Sequence, residues 1–168
     1  VAGWPQNYCG PGFQIGSTFS GGITNSGTLT NSGSLTVTGN STLTNSGTLT
    51  NGGTTILGGQ ADLTVQPGGV LNQDGTFYDV GTLTVDNGGA LNVDNGGTLY
   101  VYEGGGLNDY GTLTINTGGN LYVESQSSLA IQSGGAVNNY GVLAIQPGGA
   151  LTAAAYSEYR VSRALRVG

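Results

Sequence analysis

The 168-residue sequence predicts an all-β solenoid, a parallel β-helix of about five to six coils with short glycine-rich corners. Three observations carry that expectation. Large apolar residues recur at steps of six, seven or eight residues from Ile23 to Leu151, and each is followed two places on by a second residue of restricted type. The chain also has 34 glycines, a density that excludes helices through this region. Apolar residues make up 36% and charged residues only 7%, so the composition lacks the signature of disorder and has enough apolar surface to bury.

The apolar positions are Ile23, Leu29, Leu35, Leu43, Leu49, Ile56, Leu63, Leu71, Phe77, Leu83, Leu91, Leu99, Leu107, Leu113, Leu121, Leu129, Val137, Leu143 and Leu151. With its second residue, each reads as a short strand that turns two side chains to one face. The second residue predicts the step. After Asn25, Asn31, Asn45, Asn51, Gln73, Asp79, Asp109 and Asn139 a glycine follows two places on and the step is six or seven. After Val65, Val85, Val93, Val101, Ile115, Ile131 and Ile145 the step is eight, usually through a Gly-Gly pair. An Asn or Asp side chain can bond the backbone two residues ahead and so close a tight corner, whereas the apolar residue extends the strand into a wider turn.

Grouping the steps in fours, from 23, 49, 77, 107 and 137, aligns residues 77–106 with 107–136 without a gap. Asn25, Asn51, Asp79, Asp109 and Asn139 then share a column, and Val37, Val65, Val93 and Val123 share another. In that register the polar column forms amide ladders, and Asp79 lies above Asp109, so one of the two must reach solvent or bind a proton or cation. Grouping in threes gives coils of 20 to 24 residues and stacks Tyr78, Tyr100 and Tyr122 on one outer face, but mixes those columns. The four-step grouping is the favoured reading.

Three segments follow: an N-terminal aromatic and Pro/Gly-punctuated arm or cap over 1–22, repeats over 23–151, and a divergent basic terminal coil or cap over 152–168. In the last, Tyr159, Val161, Leu165 and Val167 continue the ruler and turn Arg160 and Arg166 outward, while a helix over 153–166 is the competing reading. All nine acidic residues precede Arg160, and the basic residues are Arg160, Arg163 and Arg166, giving −9 + 3 = −6. The lone Cys9 has no internal partner and serves as a small buried apolar residue or a thiol bonded between chains. The start at Val1, without a leader, suits a mature secreted chain.

Solenoid ends expose unpaired backbone rows, and a joint between two different ends does not close, so it propagates. The candidate assembly interface is Trp4, Tyr8, Cys9, Phe13, Phe19, Tyr159, Arg160, Arg163 and Arg166, aromatic anchors at one end and cations at the other.

His, Lys and Met are absent, which removes most acid–base machinery, so no enzyme, catalytic residue or cofactor is expected. The two VDNGG runs at 85–89 and 93–97, with Glu103 and Asp109 following, raise calcium, but they lack the nonapeptide spacing of calcium solenoids and read as turns, so no metal site is assigned. The acidic body argues against nucleic acid, and no apolar run approaches the roughly 18 residues of a membrane span. Threonine pairs at 28/30, 42/44, 48/50, 82/84 and 112/114 resemble ice-binding arrays but are interrupted, and threonine simply favours exposed strand positions.

Tracts such as ITNSGTLTNSGSLTVTGNSTLTNSGTLTNGG resemble the repeats of secreted bacterial β-solenoids, including adhesin, autotransporter passenger and surface-fibre proteins, over about 23–151. The resemblance implies an extracellular or cell-surface structural or adhesive role. The expected function is a subunit of an extracellular filament built by head-to-tail stacking. Its partners would be copies of itself, with a surface glycan or cell-surface protein as a further candidate. The alternative is a monomeric adhesin or passenger fragment.

Overall fold

The computed structural model describes the backbone of Asn7–Tyr8, Phe13–Gln14, Ser17–Phe19, residues 21–161 and Arg166–Val167, and the side chains of residues 21–160. The strands follow one another around three faces. The first level is β1 (Asn7–Tyr8), β2 (Phe13–Gln14) and β3 (Ser17–Phe19). Six complete coils follow: β4 (Gly22–Asn25), β5 (Thr28–Asn31), β6 (Ser34–Val37); β7 (Thr42–Asn45), β8 (Thr48–Asn51), β9 (Thr54–Leu57); β10 (Asp62–Val65), β11 (Val70–Gln73), β12 (Thr76–Asp79). The next three are β13 (Thr82–Val85), β14 (Ala90–Val93), β15 (Thr98–Val101); β16 (Gly106–Asp109), β17 (Thr112–Ile115), β18 (Asn120–Val123); β19 (Ser128–Ile131), β20 (Ala136–Asn139), β21 (Val142–Ile145). The last level is β22 (Ala150–Ala153), β23 (Glu158–Val161) and β24 (Arg166–Val167), so the described part of the C-terminal stretch is strand rather than helix.

Every third strand pairs in parallel, which gives three eight-stranded sheets: face A from β1 to β22, face B from β2 to β23 and face C from β3 to β24. At about 4.8 Å per level the six complete coils rise roughly 30 Å. The fold class matches the sequence expectation, but the favoured four-step grouping does not hold. Residues 20 to 24 apart pair, as in Leu63 with Leu83 and Leu83 with Leu107. The polar residues therefore do not share one column. Asn25 pairs with Asn45, Asn31 with Asn51, and Asn51 with Gln73. Asp79 stands on face C between Leu57 and Val101, and Asp109 on face A between Val85 and Ile131, so neither lies above the other.

The four-step alignment arose because coils hold different mixtures of two corner lengths. Where the second inward residue is polar, two residues join the strands; where it is apolar, four do. The one irregular step in the sequence ruler also resolves. Ile56 faces outward and Thr55 and Leu57 face inward, which turns steps of seven and seven into six and eight. With that correction every polar second residue within the six coils precedes a step of six, and every apolar one precedes a step of eight.

The tight corner is built as the side-chain chemistry suggested. The amides of Gly27, Gly33, Gly81, Gly111 and Gly141 donate to the Oδ1 of Asn25, Asn31, Asp79, Asp109 and Asn139 at 3.0–3.2 Å. Glycine is required there by close approach: a Cβ on Gly111 would lie 2.4 Å from Asp86 O and 2.5 Å from Gly89 O. The wide corner is a four-residue turn whose last amide returns to its first carbonyl, as from Gly89 to Asp86 at 2.8 Å. In most of these corners the third residue is a glycine with positive φ, +79° at Gly68 after Pro67, the arrangement of a type II turn; Gln126 takes that place at +57°, and in 38–41 the positive φ falls on the second residue, Gly39. Where the fourth-place glycine is missing, serine can take its place. Ser127 Oγ lies 2.7 Å from Val101 O and 2.8 Å from Glu124 O.

Each face turns two columns inward: a first one mostly of leucines, with Phe77 and the buried Thr55 in that of face C, and a second one mostly of valines and isoleucines wherever it is not polar. No single coil buries these side chains; stacking removes them from water, at about 25 cal/mol per Å². The buried amides form two short ladders. Asn25 Nδ2 donates to Asn45 Oδ1 at 2.7 Å; on the next face Asn31 Nδ2 donates to Asn51 Oδ1 at 2.7 Å and Asn51 Nδ2 to Gln73 Oε1 at 2.8 Å. Amide ladders are thus present, with membership set by the three-faced register.

Candidate interaction surfaces

With the inward positions committed to packing, any interaction uses the outward strand residues, the corners or the ends. The faces are nearly free of charge, and the acidic residues gather on the corners. Face C displays Ser34, Thr36, Thr54, Ile56, Thr76, Tyr78, Thr98, Tyr100, Asn120, Tyr122, Val142 and Ala144, none of them ionised.

On it the parallel register sets Tyr78 beside Tyr100 and Tyr100 beside Tyr122, with ring centroids 5.6 and 5.2 Å apart. Tyr102, at the start of the following corner, flanks both Tyr78 and Tyr100, at 5.8 and 5.5 Å, so the three rings form a triangle. The four stacked rings, half-buried in the strands and exposed at Tyr102, form a ridge along face C. The three in-strand tyrosines were legible through the three-step grouping; Tyr102 was not, because a corner residue has no place in a strand period.

The threonine pairs divide between two faces. Those at 28/30, 48/50 and 112/114 are on face B and those at 42/44 and 82/84 on face A, and neither face carries an unbroken array. The two VDNGG runs turn different corners, with Asp86 leaving face A and Asp94 leaving face B, so they do not converge. Asp94 instead lies beside Asp74 and Asn116 of the adjacent coils. Asn116 Nδ2 donates to Asp94 Oδ1 at 2.6 Å, and burial, followed by the charge and hydrogen bond of Asp94, raises the Asp74 carboxyl. Among the described residues no three acidic or cysteine side chains are grouped to hold a metal, and no helix is long and apolar enough to cross a membrane.

Corner length also shapes the surface. In a wide corner the third-place amide donates to the coil above, as Gly68 N does to Gly88 O at 2.9 Å and Gly96 N to Gly118 O at 3.1 Å. Above Gly88 the next coil takes the tight corner Tyr110–Gly111, which has no third place. The result is a shallow notch of about 360 Å³ lined by Pro67, Asp86, Asn87 and Tyr110.

Among the described residues the last level is the least buried. Leu151 and Tyr159 point inward yet are only half-buried, whereas Leu129 and Val137, which they cover, are fully buried. Arg160 is exposed and already bound to Glu158, Nη2 to Oε2 at 2.9 Å. Of the remaining proposed interface residues, Tyr8, Phe13 and Phe19 lie in β1, β2 and β3, and Arg166 lies in β24. Trp4, Cys9 and Arg163 lie outside the described residues.

Parallel coils of this kind, stacked around a shared apolar interior, define a β-solenoid repeat protein. The family model described as Haemagglutinin repeat matches residues 14–61, 55–101, 103–125 and 110–155, and the chain belongs to that family. It is therefore an adhesin-like repeat protein, in line with the resemblance of its tracts to bacterial β-solenoid repeats. Among solved structures the chain is similar to a hyper-glycosylated TibA fragment modified by TibC, at 22% identity over 92% of this chain and 82% of that one, with a TM-score of 0.16. Comparison with curated proteins gives no match.

Proposed function

We propose that the chain is a non-catalytic structural subunit of an extracellular filament at the cell surface, extended by head-to-tail stacking of solenoids and adhesive along its faces. The observation that supports this most is the partial burial at the last described level. Among the described residues β22 and β23 are the outermost strands of faces A and B, and their inward Leu151 and Tyr159 are half-buried where their counterparts one coil below are fully buried; one further coil would bury them alike. Another copy of this chain would supply it through β1, β2 and β3, continuing three sheets at once. The Haemagglutinin repeat membership supports the adhesive part. The same membership equally suits the second reading, a monomeric adhesin or passenger fragment.

Sedimentation across a concentration series, with negative-stain imaging, separates the two. The filament reading expects an open-ended series of masses and uniform thin fibres; isolated rods of one mass at all concentrations overturn it. Trypsin adds an independent readout, since Arg160 is the first cleavable residue. Protection of the tail in assembled material and its trimming in the monomer is the expected pattern.

A further inference from the structure

Three Asn-Gly pairs occur in the sequence, Asn51-Gly52, Asn87-Gly88 and Asn95-Gly96, and by sequence they are chemically equivalent. The fold makes them unequal. Asn51 is buried in an amide ladder, its Nδ2 donating to Gln73 and Thr76, and the Gly52 amide donates to Asn31 O at 2.9 Å. Asn95 is exposed, but the Gly96 amide donates to Gly118 O at 3.1 Å, and its Oδ1 lies over Gly118, 2.1 Å from where a Cβ there would stand. At Asn87 both protections are missing. Asn87 and Gly88 are exposed, Asn87 makes no hydrogen bond among the described residues, and the tight corner overhead leaves the Gly88 amide with no acceptor.

We infer that Asn87 is a site of spontaneous deamidation, a modification site created by the corner mismatch at the notch. The Gly88 amide nitrogen, after losing its proton to solvent base, attacks Asn87 Cγ. The Cγ–Nδ2 bond breaks and ammonia leaves, closing a five-membered succinimide that water reopens at either carbonyl. Opening at one carbonyl gives aspartate; opening at the other gives an isoaspartate, with one extra methylene in the main chain. Glycine permits the attack because no side chain crowds its nitrogen. Either product places a second carboxylate beside Asp86 and moves the formal charge from −6 to −7.

The test is incubation of the folded protein in mildly alkaline buffer. Digestion before aspartate, in denaturant, then separates residues 86–93 from 94–108, and mass spectrometry localises the gain of about one mass unit. Conversion at Asn87 is expected about fivefold faster than at Asn95, the factor for freeing one hydrogen-bonded amide, and Asn51 should not convert. Incubation in denaturant should bring the three rates together. Equal rates at Asn87 and Asn95 in the folded protein overturn the inference, as does faster conversion at Asn95 or Asn51. So does an Asn87 that stays intact while the denatured chain converts.

Discussion

The two buried aspartates are the most exposed point of this design to pH. Asp79 and Asp109 are fully buried, and each uses Oδ1 to close its corner while Oδ2 has no partner. Burial pushes the Asp79 carboxyl well above its ordinary range and Asp109 up to about 7, against the opposing pull of the Gly81 and Gly111 amides. The neutral acid suits both sites for a reason Asn45 displays. Asn45, likewise below a β-branched apolar residue, Val65, and a wide corner, sends its Nδ2 to Val70 O at 2.9 Å, and a protonated Oδ2 is the same kind of donor. Unfolded aspartate ionises near 3.8, so between about pH 4 and about pH 7 the folded chain holds a proton at Asp109 that the unfolded chain releases. Stability is therefore greatest below that window and falls as pH rises through it, and Asp79 extends the fall upward. Asp109→Asn should remove Asp109's share of this slope, leaving that of Asp79, and stabilise the protein by roughly 2–4 kcal/mol at about pH 8, with little gain at about pH 4. Urea denaturation at the two pH values measures it.

At the level of strands and corners, glycine's importance depends on which backbone passes overhead. Gly111→Ala drives a Cβ into the carbonyls of Asp86 and Gly89, so we expect a loss of roughly 3 kcal/mol or more. Gly106→Ala, at the start of β16, meets only Ser128 Oγ at 3.7 Å, and thermal melting should show it neutral or slightly stabilising. The strands themselves were legible in the sequence because a single period, the leucine and its partner two places on, is repeated in every one. The number of faces was not. It depends on which carbonyls stack, and the two corner lengths alternate so that residues 77–106 match 107–136 by composition while lying on different faces. Ile56 misled for the opposite reason: Thr55 takes the inward place, and an apolar side chain on the outer face mimicked the ruler. The tyrosine ridge was half visible, through Tyr78, Tyr100 and Tyr122, and the notch was invisible, since it exists only where Tyr110–Gly111 overlies the longer corner of Asp86 to Gly89.

For the molecule as a whole, the three-sided stack fixes the outer surface: which tyrosines meet and where the corners mismatch. Its register can be read directly with paired spin labels on the outer surface in a Cys9→Ser background. Thr84 and Asn108 are partners on adjacent strands of face A, about 4.8 Å apart in the pairing direction. Thr84 and Thr114, thirty residues apart like the residues matched by the four-step grouping, stand on different faces. Labels at Thr84→Cys with Asn108→Cys should give strong spin–spin broadening, and labels at Thr84→Cys with Thr114→Cys should give little. Broadening in the second pair and not the first would contradict the three-faced solenoid.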